Sequence, residues 1–404
     1  MAKLPTPLLP ADISPGLRCW LLAVVAAVTL AAGVDPKGYR FHNEVERLPD
    51  GPGLRFGRFG RVHTEPFVTP EQAAVFNDAG FTLEIALAFT NNPSGGYRFL
   101  ASFHAGEDWD QLVVGQWHQH FIVMNGDDYS HRRRLPRISA DASAHSNGPI
   151  LLTITTGARG TRLYINGKMA ATMDGLRLTI PAASDRGRLV LGNSVHANNP
   201  WHGDVLGFVA FRGTLAADQV VSHYVHWRDA GNFNFGKGAD PHLLFTFEAQ
   251  AVARELNRGS AKADLNIPPR LVALGSRALA TNSIHGAADE SLMQDMIVNL
   301  VGFMPFGFAL AFVLVAPGRS VGMLILRVTA MGFIFSLSIE LAQAWLPSRD
   351  SSLLDLTLNT GGALLGAGCV AAIQTRIGAR QNPGSGKGER RESGSPTTSG
   401  SERR

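Results

Sequence analysis

Cysteine is nearly missing from this chain. Its 404 residues include two, Cys19 and Cys369, and both lie inside apolar runs, so the polar middle of the sequence has no pair from which to build a disulfide. The compartment has to be read from topology instead. Charge of one sign is scarce as well: the formal net charge is +4, and the seven basic and three acidic residues from Arg376 onward carry all of it. The rest is neutral, which leaves a nucleic-acid partner without electrostatic support. That tail is Gly, Ser, Pro and charge with almost nothing apolar. It cannot offset the entropy of ordering, and residues 376–404 are expected to form a disordered basic segment.

Apolar residues are concentrated in four blocks. After a leader of residues 1–16, residues 17–34 (LRCWLLAVVAAVTLAAGV) are just long enough to span a bilayer. The long, weakly basic leader favours an uncleaved anchor; a signal peptide cut after Gly33 is the alternative, since Ala31 and Gly33 are small. Either one exports the polar middle of the chain. Residues 293–316, 321–346 and 353–373 can each span with some tilt, and the short connections PGRS and PSRDSS put them in hairpin order. The basic tail after the last span places that end, with Arg319, in the cytoplasm. Lys37, Arg40, Arg270 and Arg277 flank spans on the outer side without reversing the argument, because a folded domain translocates largely regardless of charge. Contact of the tail with membrane lipid is a further role for its charge.

Long helical periods are lacking between residues 39 and 231. Short alternating or β-branched runs stand there instead, among them FTLEIALAF, YRFLASFHA, QLVVGQWHQHFIVM, PILLTITTG and RLVLGN, bounded by Gly, Asn, Asp and Pro. They predict an antiparallel β-sandwich over residues 39–231, followed by an extracytoplasmic linker, 232–291. Asn166-Gly167 between two apolar runs predicts a type I′ hairpin. The stretch GPILLTITTGARGTRLYINGKMAAT, followed by RLVLGNSVHANNPWHGDVLGFVAFRGTLAADQVVSHY, resembles the laminin G-like, concanavalin A-like jelly roll, with GLRFGRFGRVHTEPF as its first strand and residues 214–224 as its short helix. The resemblance implies a lectin, an adhesive module or a glycosidase, and the fold alone does not choose among them.

Catalytic carboxylates are lacking in this region. Retaining glucanases on such a scaffold set Glu-x-Asp-x-x-Glu on one strand face, and here only EDWDQ comes near, at the wrong spacing. His118 and His120, two apart, lie on one strand face by this reading, but no third metal ligand accompanies them. Asp127 and Asp128 beside Asn125-Gly126 form either a plain turn or oxygens of a calcium site; no other cofactor is expected. Trp109, Trp117 and Trp201 either stack on sugars or pack in the core.

The apolar spans carry polar residues where a charge near the bilayer centre costs roughly 2.5 to 3.5 kcal/mol. Asp295 and Asn299 share a face of their helix, as do Ser336, Glu340 and Gln343, and Asp355 and Asn359. Converging, they predict a polar pocket open to the exterior, with Arg349 as a partner for one carboxylate and Gly361, Gly362 and Gly366 allowing close approach. The alternative is polar glue within a small bundle. Asp295 and Asp355 stand near helix N-termini, whereas Glu340, about two turns from the outer end of its helix, has no such terminus to stabilise it.

Asp295, Asn299, Phe303, Pro305, Phe306 and Gly307, then Ser336, Glu340, Gln343, Arg349, Asp355, Asn359, Gly362 and Gly366, resemble the motif of the VanZ-like family of bacterial membrane proteins, and Ile267-Pro-Pro-Arg270 resembles the segment before it. The family takes its name from a protein linked to resistance to teicoplanin, a glycopeptide antibiotic. The resemblance implies a cell-envelope role, with the sandwich inserted after the first span. The expected whole is a multi-pass bacterial plasma-membrane protein with a bundle of four spans, the VanZ-like region over residues 292–375, and an extracytoplasmic jelly roll. That jelly roll binds an envelope glycan, a glycopeptide or a protein partner. The rival reading is an enzyme acting on a lipid-linked headgroup, with Glu340 as acid or base.

Overall fold

The computed structural model describes residues 13–35, 40–90, 96–106, 109–183, 186–233, 240–248, 253–275, 278–279, 290–316, 320–346, 349 and 351–381. These fall into two units, one built from residues 1–35, 278–343 and 351–404 and one from residues 36–277 and 344–350. The helices in chain order are α1 (Pro15–Val34), α2 (Pro70–Ala79), α3 (Ala217–Ala230), α4 (Glu290–Leu314), α5 (Val321–Gln343) and α6 (Leu353–Gln381).

The first unit holds α1, α4, α5 and α6, each with a stretch long and apolar enough to cross a membrane. Their ends follow local chemistry. Ser14 accepts the Leu17 N–H at 3.2 Å and Pro15 opens α1, while the Ser352 hydroxyl accepts the N–H groups of Leu354 and Asp355 at 3.1 and 3.4 Å to start α6. Lipid gives no hydrophobic drive for helices to associate, so close packing has to do it. A methyl group on Gly362 would strike the Leu300 carbonyl and the Phe303 Cβ, and one on Gly366 would strike the Met304 carbonyl and the Phe308 nitrogen. On α4, Gly307 lies against the backbone of Ala363. The backbones of α4 and α6 thus touch, and Phe303, Phe306, Leu310, Val328, Ile339, Ala367 and Val370 close the core around them. Pro305 sits inside α4 and removes one of its hydrogen bonds.

The second unit is an antiparallel sandwich. One sheet runs Val45–Arg47, Leu54–Phe56, Gly203–Arg212, Phe81–Phe89, Ile150–Gly157, Gly160–Ile165, Lys168–Met173, with Pro241–Phe245 also paired to Gly203–Arg212. The other runs Arg254–Glu255, Leu265–Asn266, Val62–Thr64, Arg188–Leu191, Arg98–His104, Gln111–Trp117, His120–Asn125, Arg137–Asp141. Alternate residues from both, such as Leu83, Ile85, Phe103, Leu112, Val123 and Phe208, fill one core between them. Asn166 and Gly167 adopt φ of 52° and 74° with Ile165 paired to Lys168, the hairpin the sequence predicts.

Three features differ from the expected sandwich. Pro241–Phe245, Arg254–Glu255 and Leu265–Asn266 place strands in the stretch expected as a linker; at two to five residues they are too short to show an alternating pattern. The helix α2 stands where only strands are expected, and its capping box is local: Thr69 Oγ1 accepts the Gln72 N–H at 3.3 Å while Gln72 Oε1 accepts the Thr69 N–H at 3.0 Å. The helix α3 runs on to Ala230, where Gly231, at φ 67°, donates its N–H to the Trp227 carbonyl at 2.8 Å.

The chain enters and leaves this unit side by side. The Asn43 N–H donates to the Pro269 carbonyl at 3.2 Å, the Leu271 N–H donates to the Phe41 carbonyl at 2.8 Å, and His42 bridges Arg270 antiparallel. The Asn43 side chain locks the pair, donating to the carbonyls of Pro268 and Arg61 at 2.7 and 2.9 Å and accepting the Arg61 N–H at 2.8 Å. Adjacent ends are what a domain inserted between two helices requires.

Candidate functional site

In the helical unit the polar stripes meet where α4, α5 and α6 converge. Glu340, only 1% exposed, accepts the Ser352 N–H at 2.9 Å and is also hydrogen-bonded to the Ser351 side chain. Ser352 therefore acts twice, its N–H binding the carboxylate and its hydroxyl capping α6. Asn299 Nδ2 donates to Asp355 Oδ1 at 2.7 Å, joining α4 to α6, and Asn359 Nδ2 donates to Ser336 Oγ at 3.0 Å, joining α6 to α5. The second oxygen of this pair of groups, Asn359 Oδ1, is buried without a hydrogen-bond partner.

Two expectations about this cluster change. Glu340 does lie at a helix N-terminus, that of α6 rather than one on its own helix, where it accepts the N–H of the capping residue Ser352. Ser336, Glu340 and Asn359 are enclosed by the packed helices instead of facing an open pocket. Gln343 turns elsewhere: its Nε2 donates to the Gly33 carbonyl at 2.8 Å and satisfies an acceptor in the last turn of α1. Arg349 is half-buried and groups with the sandwich unit. Asp295 is on α4 one turn before Asn299, and its side chain lies outside the described residues. Chemically the cluster offers one buried carboxylate, a hydroxyl and amides; the described part of α4–α6 contains no histidine to serve as a base.

In the sandwich the candidate residues do not gather. Trp201 is fully buried, donates Nε1–H to Gln116 Oε1 at 2.7 Å and packs edge-on to Phe56, so it belongs to the core and cannot stack on a sugar. Trp109 and Trp117 are 61% and 45% exposed, but they stand at opposite ends of Gln111–Trp117. At about 3.3 Å per residue the strand between them is itself roughly 20 Å long, too far for one platform. His118 and His120 do not share a strand face either. The expected single strand is two, with His118 in the turn at φ 53° and Trp117 paired to His120. Trp117 packs on both rings, at 4.5 and 6.3 Å between centroids.

Asp127 and Asp128 have their oxygens engaged by arginine and backbone donors. Asp127 pairs with Arg133. Asp128 accepts the N–H groups of Arg133 and Leu135 at 3.2 and 3.0 Å and pairs with Arg137 at 3.4 Å. Burial alone would raise the Asp128 carboxyl, but these N–H bonds and the arginine charges outweigh it and hold it below the usual range. A calcium ion does not fit among those guanidinium groups. Among the described residues no group of three or more His, Cys, Asp or Glu is arranged to hold a metal.

The sequence reading missed a buried pair. Glu84 is fully buried, with His223 Nδ1 at 2.9 Å from one carboxylate oxygen and the Thr153 hydroxyl donating to the other at 3.2 Å, which fastens α3 to the sheet. A lone acid within FTLEIALAF was the available signal.

Comparison with known proteins agrees with this architecture. Residues 242–374 match the VanZ/LLP1 family model, and residues 64–221 match that of the concanavalin A-like lectin/glucanases superfamily. The chain therefore carries a concanavalin A-like sandwich and a VanZ-like region. No curated protein matches it. Among solved structures, a candidate carbohydrate-binding protein from Bacteroides ovatus is similar at 13% identity and a TM-score of 0.38, over 53% of this chain and 57% of that one. A module of the Ruminococcus gnavus IT-sialidase bound to α2,3-sialyllactose is similar at 14% identity and a TM-score of 0.32, over 42% of this chain and 95% of its own. Domain 4 of an extracellular arabinanase from Geobacillus stearothermophilus, in complex with arabinotriose, is similar at 11% identity and a TM-score of 0.33, over 47% and 83%. The first of these is spanned over little more than half its length, and overlaps this partial carry no functional weight.

Proposed function

We propose that this chain is a binding protein of the bacterial plasma membrane, with four spans, both termini inside, and a sandwich outside that holds an envelope glycan. The observation that carries the reading is the match of two regions of one chain to a lectin-type superfamily and to a membrane family, with the sandwich entered and left through segments bridged to each other at His42 and Arg270. A domain tethered in this way is kept at the membrane surface, where even weak sugar contacts act at high effective concentration. The basic tail supports the inward placement of the C-terminus. The polar groups of α4, α5 and α6 then serve mainly to fix the bundle, since the bonds of Asn299, Glu340 and Asn359 each tie one helix to another or to its cap.

Binding of the full-length chain in detergent to a panel of envelope glycans is the direct test. Micromolar to millimolar affinity for at least one glycan is expected, and a blank panel moves the reading to a protein partner. Teicoplanin susceptibility of cells with and without the gene tests the resistance link.

One observation favours the rival enzyme reading: Glu340 is a carboxylate enclosed in the bundle with no ion pair among the described residues. Glu340→Gln keeps the shape and an acceptor for the Ser352 N–H. Binding and cellular phenotype are expected to persist in this variant at normal expression. A loss of phenotype of a hundredfold or more with the fold intact would favour acid–base chemistry at this residue.

A further inference from the structure

The loops at one end of the sandwich gather three basic side chains. Phe56 pairs with Gly203, so His202 stands opposite Gly57 and beside Arg58. The turn carrying Arg58 is tight, with the Gly60 N–H donating to the Gly57 carbonyl at 3.1 Å. From the other sheet, Arg98 donates Nη1–H to the Pro200 carbonyl at 3.2 Å and to His202 Nδ1 at 2.7 Å. A guanidinium only donates, so Nδ1 accepts and the imidazole is neutral with its proton on Nε2.

Packing, not mutual attraction, brings these groups together. Burial and then Arg58 lower the Arg98 guanidinium, and burial followed by Arg98 and Arg58 lowers His202, against a smaller upward pull from Glu44. That carboxylate is itself engaged, accepting the Phe59 N–H at 3.2 Å. Like charges held this close oppose each other, and an anion between them relieves the repulsion. Trp117 stands apart from this cluster: it comes one residue after Gln116, the register partner of Arg98, and so faces the other side of that sheet, where it packs on His118 and His120.

We propose that Arg58, Arg98 and His202 form the site at which the sandwich holds an acidic saccharide, its carboxylate or phosphate oxygens taken by the two arginines. Arginine suits this task because its planar fork matches both oxyanions. The inference rests on the glycan-binding reading and narrows it to one ligand class and one end of the fold.

The test is calorimetric titration of the full-length chain in detergent with glucuronic acid, glucose 6-phosphate and glucose. The acidic sugars are expected to bind at least tenfold more tightly than glucose, and the stronger of the two identifies the anionic group. Arg58→Gln, at an exposed position, should weaken the acidic sugars about tenfold and leave glucose unchanged. Trp117→Ala, on the other face of that sheet, should leave all three unchanged. Arg98→Gln should act like Arg58→Gln, and if it unfolds the domain, the Arg58 variant still decides. Equal affinities for the three sugars with a silent Arg58→Gln overturn the site while leaving a neutral-glycan lectin standing. No binding of either acidic sugar, with a positive envelope-glycan panel, also overturns it; a blank in both assays removes the glycan reading itself.

Discussion

Gly366→Leu is expected to prevent the α4–α6 pair from forming and to leave a chain that inserts but does not hold a compact bundle. The obstacle is specific: a side chain at this position meets the Met304 carbonyl and the Phe308 nitrogen, backbone atoms that cannot rotate away as a flexible side-chain end would. Overpacking ordinarily costs about 1–3 kcal/mol. Here the helices themselves must separate, which raises the expected loss to about 4 kcal/mol, and the bonds from Asn299 to Asp355 and from Asn359 to Ser336 go with it. Gly368→Leu is the control on the same helix, because nothing lies within 4 Å of the added Cβ; a change within about 0.5 kcal/mol is expected. Thermal unfolding of both variants in the same detergent checks the pair. Equal midpoints would mean that α4 and α6 do not approach through this glycine.

The sandwich and the helices were legible in the sequence for opposite reasons. Ile150–Gly157 and Gly160–Ile165 announce themselves by β-branched runs around a turn that needs positive φ, while the four spans announce themselves by length and apolarity alone. What resisted reading was anything decided by a partner distant in sequence. Glu340 looked unsupported because its stabilising N-terminus belongs to the next helix, twelve residues on at Ser352. Gln343 lies on the same stripe as Glu340 but answers to Gly33, on the far side of the inserted domain. Trp201 and Trp117 are indistinguishable as letters; burial under Phe56 and a bond to Gln116 make one a core residue, and a strand end leaves the other exposed. His118 was placed on a strand because a two-residue turn leaves no glycine or proline to mark it. The basic rim could not be seen at all, since His202 meets Arg58 only through the pairing of Gly203–Arg212 with Leu54–Phe56, and Arg98 reaches His202 from the opposite sheet.

Asp128→Ala is expected to destabilise the sandwich by about 3–5 kcal/mol, the usual result of removing one member of a buried ion pair. The carboxylate is 2% exposed and serves four groups of one loop: the N–H of Arg133, the N–H of Leu135, the Arg137 guanidinium at 3.4 Å and the His131 ring at 3.9 Å. Removing it leaves Arg137, itself only 12% exposed, with the Asp128 main-chain carbonyl but no counter-charge there, and frees a loop that reverses direction through His131 and Arg134 at φ of 58° and 55°. Neither residue adopts such a conformation cheaply without a fixed hydrogen-bond frame. Asp128→Asn should fall between, keeping an acceptor but losing the charge that opposes two arginines. The pH dependence follows from the direction of the shift. Because the folded state holds this carboxyl below its ordinary value, its contribution is fully present above the unfolded pKa of about 4 and is lost as the pH falls through the lower folded value. Wild-type and variant sandwiches should therefore differ most near neutrality and converge in strong acid. Urea unfolding of the two at pH 7 and near pH 2.5, followed by tryptophan fluorescence, measures this difference; a gap that stays constant with pH would show that the loop is held by something other than this charge.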